Sequence, residues 1–185
     1  MIFVGDIAHP FEQPPCWISC DWPWASHETL IANLEGPLAP DIKDNLQCGR
    51  LFNHTSVIDA LITSNVKLVS LANNHTMDVP GALSNTYEML GSRGILLTGA
   101  GQNADKAGVP AKMAHRGKTY SFFTFGWETI RCMPADKHKA GVNPLRPRSL
   151  LAAVKNYRAS FPDVAIVLLL HWNYEMELYP QPADR

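Results

Sequence analysis

Short apolar runs that end abruptly in Gly, Asn or an acidic residue alternate along this chain with stretches of helical periodicity. Ile2-Phe3-Val4 reads as a buried strand delivering Asp6 to its C-terminal edge, and Thr29 to Leu34 as a second strand closed by Glu35-Gly36-Pro37. Between them, Pro10 to Ser26 holds four prolines and Trp17, Trp22 and Trp24, the composition of a loop pinned by aromatic packing. Val57, Ile58, Leu61 and Ile62 repeat at helical spacing within Ser56 to Ser64, and Val66 to Leu71 follows as a strand ending in Asn73-Asn74-His75. A second such unit runs from a helix over Gly81 to Leu90, with Asp78 or Ser84 placed to cap it and Gly94 to end it, into a strand at Ile95 to Leu97 and a turn at Thr98-Gly99-Ala100-Gly101. Lys112 to Ala114 and Thr119 to Phe125 flank Arg116-Gly117-Lys118 as a hairpin, Pro134 to Pro147 reads as a loop, and Ser149 to Ser160 as a helix. Val164 to Leu170 is a near-continuous aliphatic strand of the kind covered on both faces, and it ends at His171.

The alternation predicts a layered α/β domain, and 185 residues suit one domain spanning 1–185. With 46% hydrophobic and 18% charged residues, intrinsic disorder is excluded. Sixteen Lys plus Arg against seventeen Asp plus Glu leave a formal charge of -1, so no basic field exists to hold nucleic acid. The longest apolar run is too short for a transmembrane segment, and Met1 leads into Ile2-Phe3-Val4 without a signal peptide, so the chain as written reads as cytoplasmic. Cys16, Cys20, Cys48 and Cys132 form no CxxC pair and read as mostly buried thiols.

Asp6, Glu35, Asn74 with His75, and His171 all stand at predicted strand ends. Open α/β sheets bind ligands outside the carboxyl ends of their strands, so these groups can converge there. Two carboxylates, an amide oxygen and an imidazole make a mixed O/N ligand set suited to Mn²⁺, Fe²⁺ or Zn²⁺.

The strings Val4-Gly5-Asp6-Ile7, Ala32-Asn33-Leu34-Glu35-Gly36-Pro37, Ser70-Leu71-Ala72-Asn73-Asn74-His75-Thr76-Met77-Asp78, Thr98-Gly99-Ala100-Gly101 and His171-Trp172-Asn173-Tyr174-Glu175 resemble, in order, the motifs of the CapA-type bacterial capsule synthesis (poly-γ-glutamate) proteins. That family lies within the calcineurin-like metallophosphoesterase superfamily, and the resemblance implies a metallophosphoesterase-like β-sandwich flanked by helices. It implies that Asp6 binds one metal ion, Glu35 bridges two, and Asn74 and His171 bind the second. A metal-activated hydroxide would attack phosphorus, with His75 as general acid and Asp78 either orienting His75 or capping a helix. His9 is a candidate further ligand. Glu175 matches the acid of the family's His-Trp-Gly-x-Glu-Tyr-like string and is a candidate contact to substrate, although Glu175 and Glu177 alternate with Met176 and Leu178 as a solvated strand face would. Thr98 to Gly101 could bring backbone amides to an anionic group or serve as a plain turn.

The family's downstream Gly-His-x-His type motif has no counterpart before Arg185, so the expectation is an N-terminal portion of a longer protein, with two ions held in the parent and weak or absent catalysis in the chain by itself. The resemblance implies a phosphoester or anionic polymer as substrate and a capsule-synthesis complex as partner, in relatives often membrane-associated or exported. The alternative function is a noncatalytic subunit for assembly or export of capsule polymer that retains the fold.

Overall fold

The structure, a computed structural model, describes residues 1–15 and 28–172. Its first sheet is parallel and has the order β1 (Ile2–Ile7), β2 (Leu30–Leu34), β3 (Val66–Ser70), β4 (Leu96–Thr98). A parallel sheet needs crossovers, and α2 (Val57–Thr63) and α3 (Ala82–Gly91) supply the two that follow β2 and β3. Both helices bury an apolar stripe, Val57, Ile58 and Leu61 on α2 and Leu83 and Leu90 on α3, against Leu30, Ala32, Leu34, Val66 and Val69 of the sheet. The resulting core holds the strands rigidly where the candidate ligands leave them.

The opposite face of this sheet meets a second one, ordered β6 (Ala111–His115), β7 (Lys118–Gly126), β9 (Ala165–His171). Ile31 and Leu68 pack on Phe122, with Val167 and Leu169 closing around them, which makes the β-sandwich. The β6–β7 pair is the predicted hairpin, with Arg116 and Gly117 both at positive φ in its turn, and β7 pairs β9 in parallel. On the outer face, α5 (Pro147–Ser160) sets the Tyr157 ring against Phe123 at 5.1 Å and its hydroxyl 2.6 Å from Ser121 Oγ. The domain is therefore a mixed α/β sandwich with helices outside both sheets. Among the described residues no helix is long and apolar enough to cross a membrane.

Several expectations change. β1 is an edge strand with Phe3 51% exposed, so it is not buried. β9 is likewise an edge strand, and α5 covers its neighbour β7, which leaves Leu168 and Leu170 each 40% exposed rather than covered on both faces. Within the predicted loop Pro134 to Pro147, β8 (Gly141–Val142) pairs antiparallel with β5 (Ala100–Gly101). Two short helices had no periodicity to announce them: α1 (Ile42–Gln47), capped by Asp41, and α4 (Ala104–Ala107), capped by Asn103. Gly81, at φ 76°, precedes α3 where Asp78 or Ser84 was expected to cap, and no side chain caps that helix. Of the thiols, Cys132 is buried and Cys48 exposed, while Cys16 and Cys20, like the three tryptophans, lie outside the described residues.

The turn Thr98 to Gly101 has a packing explanation. Gly99 stands at φ +94°, and a Cβ there would lie 1.9 Å from Thr124 Oγ1 and 2.8 Å from Ala72 Cβ. Glycine is what lets the first sheet approach the second at this level.

Candidate metal centre

Parallel pairing aligns the strand ends that matter. Asp6 is opposite Asn33 across β1–β2, and Asn33 is opposite Ser70 across β2–β3. On the second sheet His171 is the last residue of β9, opposite Gly126. The sandwich brings both edges to one cleft of about 1020 Å³, whose lining includes Asp6, Glu35, Asn74, His75, Asp78 and His171.

One ligand atom from each of Asp6, Glu35 and His171 lies within 4.8 Å of the others, the one such group among the described residues. His171 Nε2 is 3.7 Å from Glu35 Oε1 and 2.8 Å from Asn74 Oδ1. Donors each about 2.1 Å from a divalent ion at tetrahedral or octahedral angles stand roughly 3.0–3.4 Å apart, so these separations bracket what an ion needs. Two carboxylates and an imidazole are also the right chemistry. The donor set therefore fits a metal ion with small adjustments.

Asn33 organises the two acids. Period-two alternation puts it on the same face as Glu35, and its Nδ2 donates to Asp6 Oδ1 at 2.8 Å and to Glu35 Oε2. The other oxygen of Glu35, Oε1, lies 3.7 Å from His171 Nε2. Asn33 Oδ1 is in turn held by Asn73 Nδ2 at 3.1 Å. Asn73 is 1% exposed and acts as a hub: its Nδ2 also donates to Leu34 O, and its Oδ1 accepts from the backbone N–H groups of Gly36 and His75 and from Thr76 Oγ1. Such a buried amide costs free energy unless satisfied, and here every capacity is used.

A second circuit fixes His75. Its Nδ1 lies 2.8 Å from Asp78 Oδ2, which also accepts from Leu51 N at 3.0 Å. Leu51 in turn is where the turn after Glu35 docks: Gly36 has φ +84°, and a Cβ on it would come 2.7 Å from Leu51 O. Asn53 seals the same turn by donating to Glu35 O and Gly36 O. The backbone that carries Glu35 and the pair that carries His75 are thus one packed unit. Asp78 is engaged with His75 and leaves α3 uncapped, which separates the two roles the sequence left open.

His9 stands apart from this cluster. Its Nε2 lies 2.6 Å from Gln13 O, and its ring edge meets Phe11 at 5.4 Å. Glu175 lies outside the described residues. Close to the acids is Cys132, whose thiol is pushed up to about 12 by burial and secondarily by the charge of Glu35, so it remains neutral. Asn33, Asn53 and Asn73 were not singled out by sequence. A signal existed for Asn33, two residues before Glu35 on a strand, whereas Asn53 arrives from a loop with no pattern of its own.

A family model described as bacterial capsule synthesis protein PGA_cap matches residues 4–185 of the chain. No curated protein matches it.

Proposed function

The chain belongs to the bacterial capsule synthesis protein family, and from that premise we propose that its strand-end cleft is a metal-dependent phosphoesterase centre. The observation that carries this reading is the His75–Asp78 pair opening into the same cleft as the Asp6, Glu35 and His171 donors. A proton donor beside a metal-type donor set is what cleavage of a phosphoester requires, because the leaving oxygen must be protonated as negative charge builds on phosphorus.

Asp6, Glu35 and His171 would hold the ion, with Asn74 Oδ1 beside His171 Nε2 as a further donor. A bound divalent ion supplies Lewis-acid neutralisation of charge on the substrate's oxygens. Asn33 keeps the carboxylates in register by its two donated hydrogen bonds. Asp78, accepting at His75 Nδ1, leaves Nε2 of His75 as the ring nitrogen available to carry a proton to a leaving oxygen. Tethering of Asp78 to Leu51 N keeps that ring aimed. The substrate class is a phosphoester or anionic polymer of capsule synthesis, and the partners are the other proteins of that synthesis.

The test is bound metal per chain by elemental analysis after Mn²⁺ or Zn²⁺ loading and gel filtration, with Asp6→Ala and His171→Ala beside the wild type. Turnover of a generic phosphomonoester and phosphodiester is then compared with His75→Ala. Near-stoichiometric metal lost in both ligand variants, with turnover lost in His75→Ala, is the expected result. Metal retention without turnover of any phosphoester would favour the noncatalytic assembly role, and metal retained equally by Asp6→Ala and His171→Ala would sink the centre itself.

A further inference from the structure

The cleft contains a cation that the chemistry above leaves unused. Arg131 is the one lysine or arginine lining it among the described residues. Among those residues its guanidinium makes no hydrogen bond and no ion pair, whereas Arg146, on the same side of the fold, is consumed by Glu128 through Nε at 2.8 Å and Nη2 at 3.0 Å.

The backbone that carries Arg131 is held from several sides. Gly126 N donates to Asn143 O, and Trp127 N donates to His171 O at 3.0 Å, so this segment is tied directly to a residue of the metal-type cluster. A 3₁₀ turn over Glu128–Ile130 follows, closed by Arg131 N donating to Glu128 O, and the bidentate Arg146–Glu128 pair anchors its first residue. Arg131 ends the turn at φ 69°, a left-handed conformation that side-chain-bearing residues seldom adopt. The next residue, Cys132, is buried close enough to Glu35 to feel its charge. These restraints set where the backbone presents the exposed Arg131 side chain to the cleft. The carboxylates of Asp6, Glu35 and Asp78 in the cleft lining repel any anion that enters, and a guanidinium carried on an anchored backbone at the same lining offsets that repulsion.

We propose that Arg131 is the oxyanion-binding wall of this cleft, its guanidinium taking a phosphate-type group of the ligand by paired N–H donors. The proposal rests on the cleft being the ligand site described above, and it adds the substrate feature read there: a negatively charged oxyanion. The residue is a binding residue that selects anionic ligands, and it has no part in holding metal.

The experiment titrates inorganic phosphate calorimetrically into the full chain, metal-free and Mn²⁺-loaded, for the wild type, Arg131→Gln, Arg131→Lys and Arg131→Gly. The glycine variant suits the left-handed backbone and guards against a folding effect. Expected is phosphate binding weakened about tenfold or more in the glutamine and glycine variants, with partial retention in Arg131→Lys and unchanged Mn²⁺ uptake and melting temperature. Phosphate affinity within twofold of wild type in Arg131→Gln, or no phosphate binding by the wild type in either state, overturns the proposal. Absence of Mn²⁺ uptake in the wild type overturns the metal reading instead, while arginine-dependent phosphate binding by the metal-free chain would still uphold the role of Arg131.

Discussion

Replacing Asn33 by leucine keeps the branching of the side chain and removes its amide, which tests the hydrogen bonds that organise the two acids. The amide Nδ2 donates to Asp6 Oδ1 at 2.8 Å and to Glu35 Oε2. Glu35 is 7% exposed, so its bond falls in the range of about 1.5–3 kcal/mol for a charged acceptor, whereas the bond to exposed Asp6 is worth roughly 0.5–1 kcal/mol. Asn73 Nδ2 keeps one N–H on Leu34 O at 2.7 Å, but its other N–H loses Asn33 Oδ1, and a donor left unpaired on a residue 1% exposed costs a further amount of about 1–3 kcal/mol. The metal-free Asn33→Leu chain should therefore be less stable by about 3–7 kcal/mol, read from urea midpoints at constant m. Metal affinity should fall about 10–100-fold, the usual effect of removing a partner that orients a ligand. At an ion concentration one hundred times the wild-type Kd the wild type gains about 2.7 kcal/mol from binding, and a tenfold weaker variant gains only about 1.4 kcal/mol. The two chains should thus diverge further when metal is added. Equal stability without metal would refute the hydrogen-bond argument, and an undiminished metal-induced gain would refute the claim that Asn33 presets the carboxylates.

Gly99→Ala should lower stability by about 3 kcal/mol or more or abolish soluble expression, because a Cβ at 1.9 Å from Thr124 Oγ1 forces the sheets apart; a urea midpoint close to wild type would contradict the close approach. Asp78→Ala strips acceptors from His75 Nδ1 and Leu51 N, at a cost of about 1–2 kcal/mol in thermal unfolding, with a fall in any phosphoesterase turnover. Glu128 is held below the ordinary 4.5 by its hydrogen bonds from Arg146, with burial opposing. Since a depressed carboxyl pKa contributes stability above its unfolded value and loses it as pH falls through the folded value, the melting-temperature gap between wild type and Glu128→Gln should be full above pH 4.5 and close below it. Cys132, a neutral thiol pushed up to about 12, should resist alkylation at pH 8 until the chain is unfolded, whereas exposed Cys48 should label at once, as peptide mapping will show.

Where sequence reading succeeded, a local rule had a long enough segment to act on. The strands from Leu30 and Val66 and the helices after Ser56 and Gly81 each bury a face whose period is visible in one window, and the same windows mark where the chain leaves the sheet. That is why the convergence of Asp6, Glu35 and His171 is legible in the sequence: parallel strands align their carboxyl ends by construction. Exposure was not legible, because Val164 to Leu170 reads as equally apolar whether or not something covers Leu168 and Leu170. Short helices such as α1 and α4 rest on one capping side chain each, too little to stand out from loop composition.

The part of the site hardest to see in the sequence is what holds it together. Asn73 joins Asn33, Leu34, Gly36, His75 and Thr76, and the Gly36 turn lies against Leu51, which is tied to Asp78. These contacts span |i−j| from 2 to 40, and none follows from periodicity. Their effect is to make the position of Glu35 and the aim of His75 one mechanical fact, since a shift of the Gly36 turn moves Leu51 and with it the carboxylate that holds the imidazole. Short side chains dominate this unit, the amides of Asn53 and Asn73 and the carboxylate of Asp78, because they satisfy backbone groups at close range. A loosened Gly36 turn, as in Gly36→Ala, would meet Leu51 O at 2.7 Å and should therefore disturb both metal uptake and the His75–Asp78 pair together, whereas a site assembled from independent residues would lose one and keep the other.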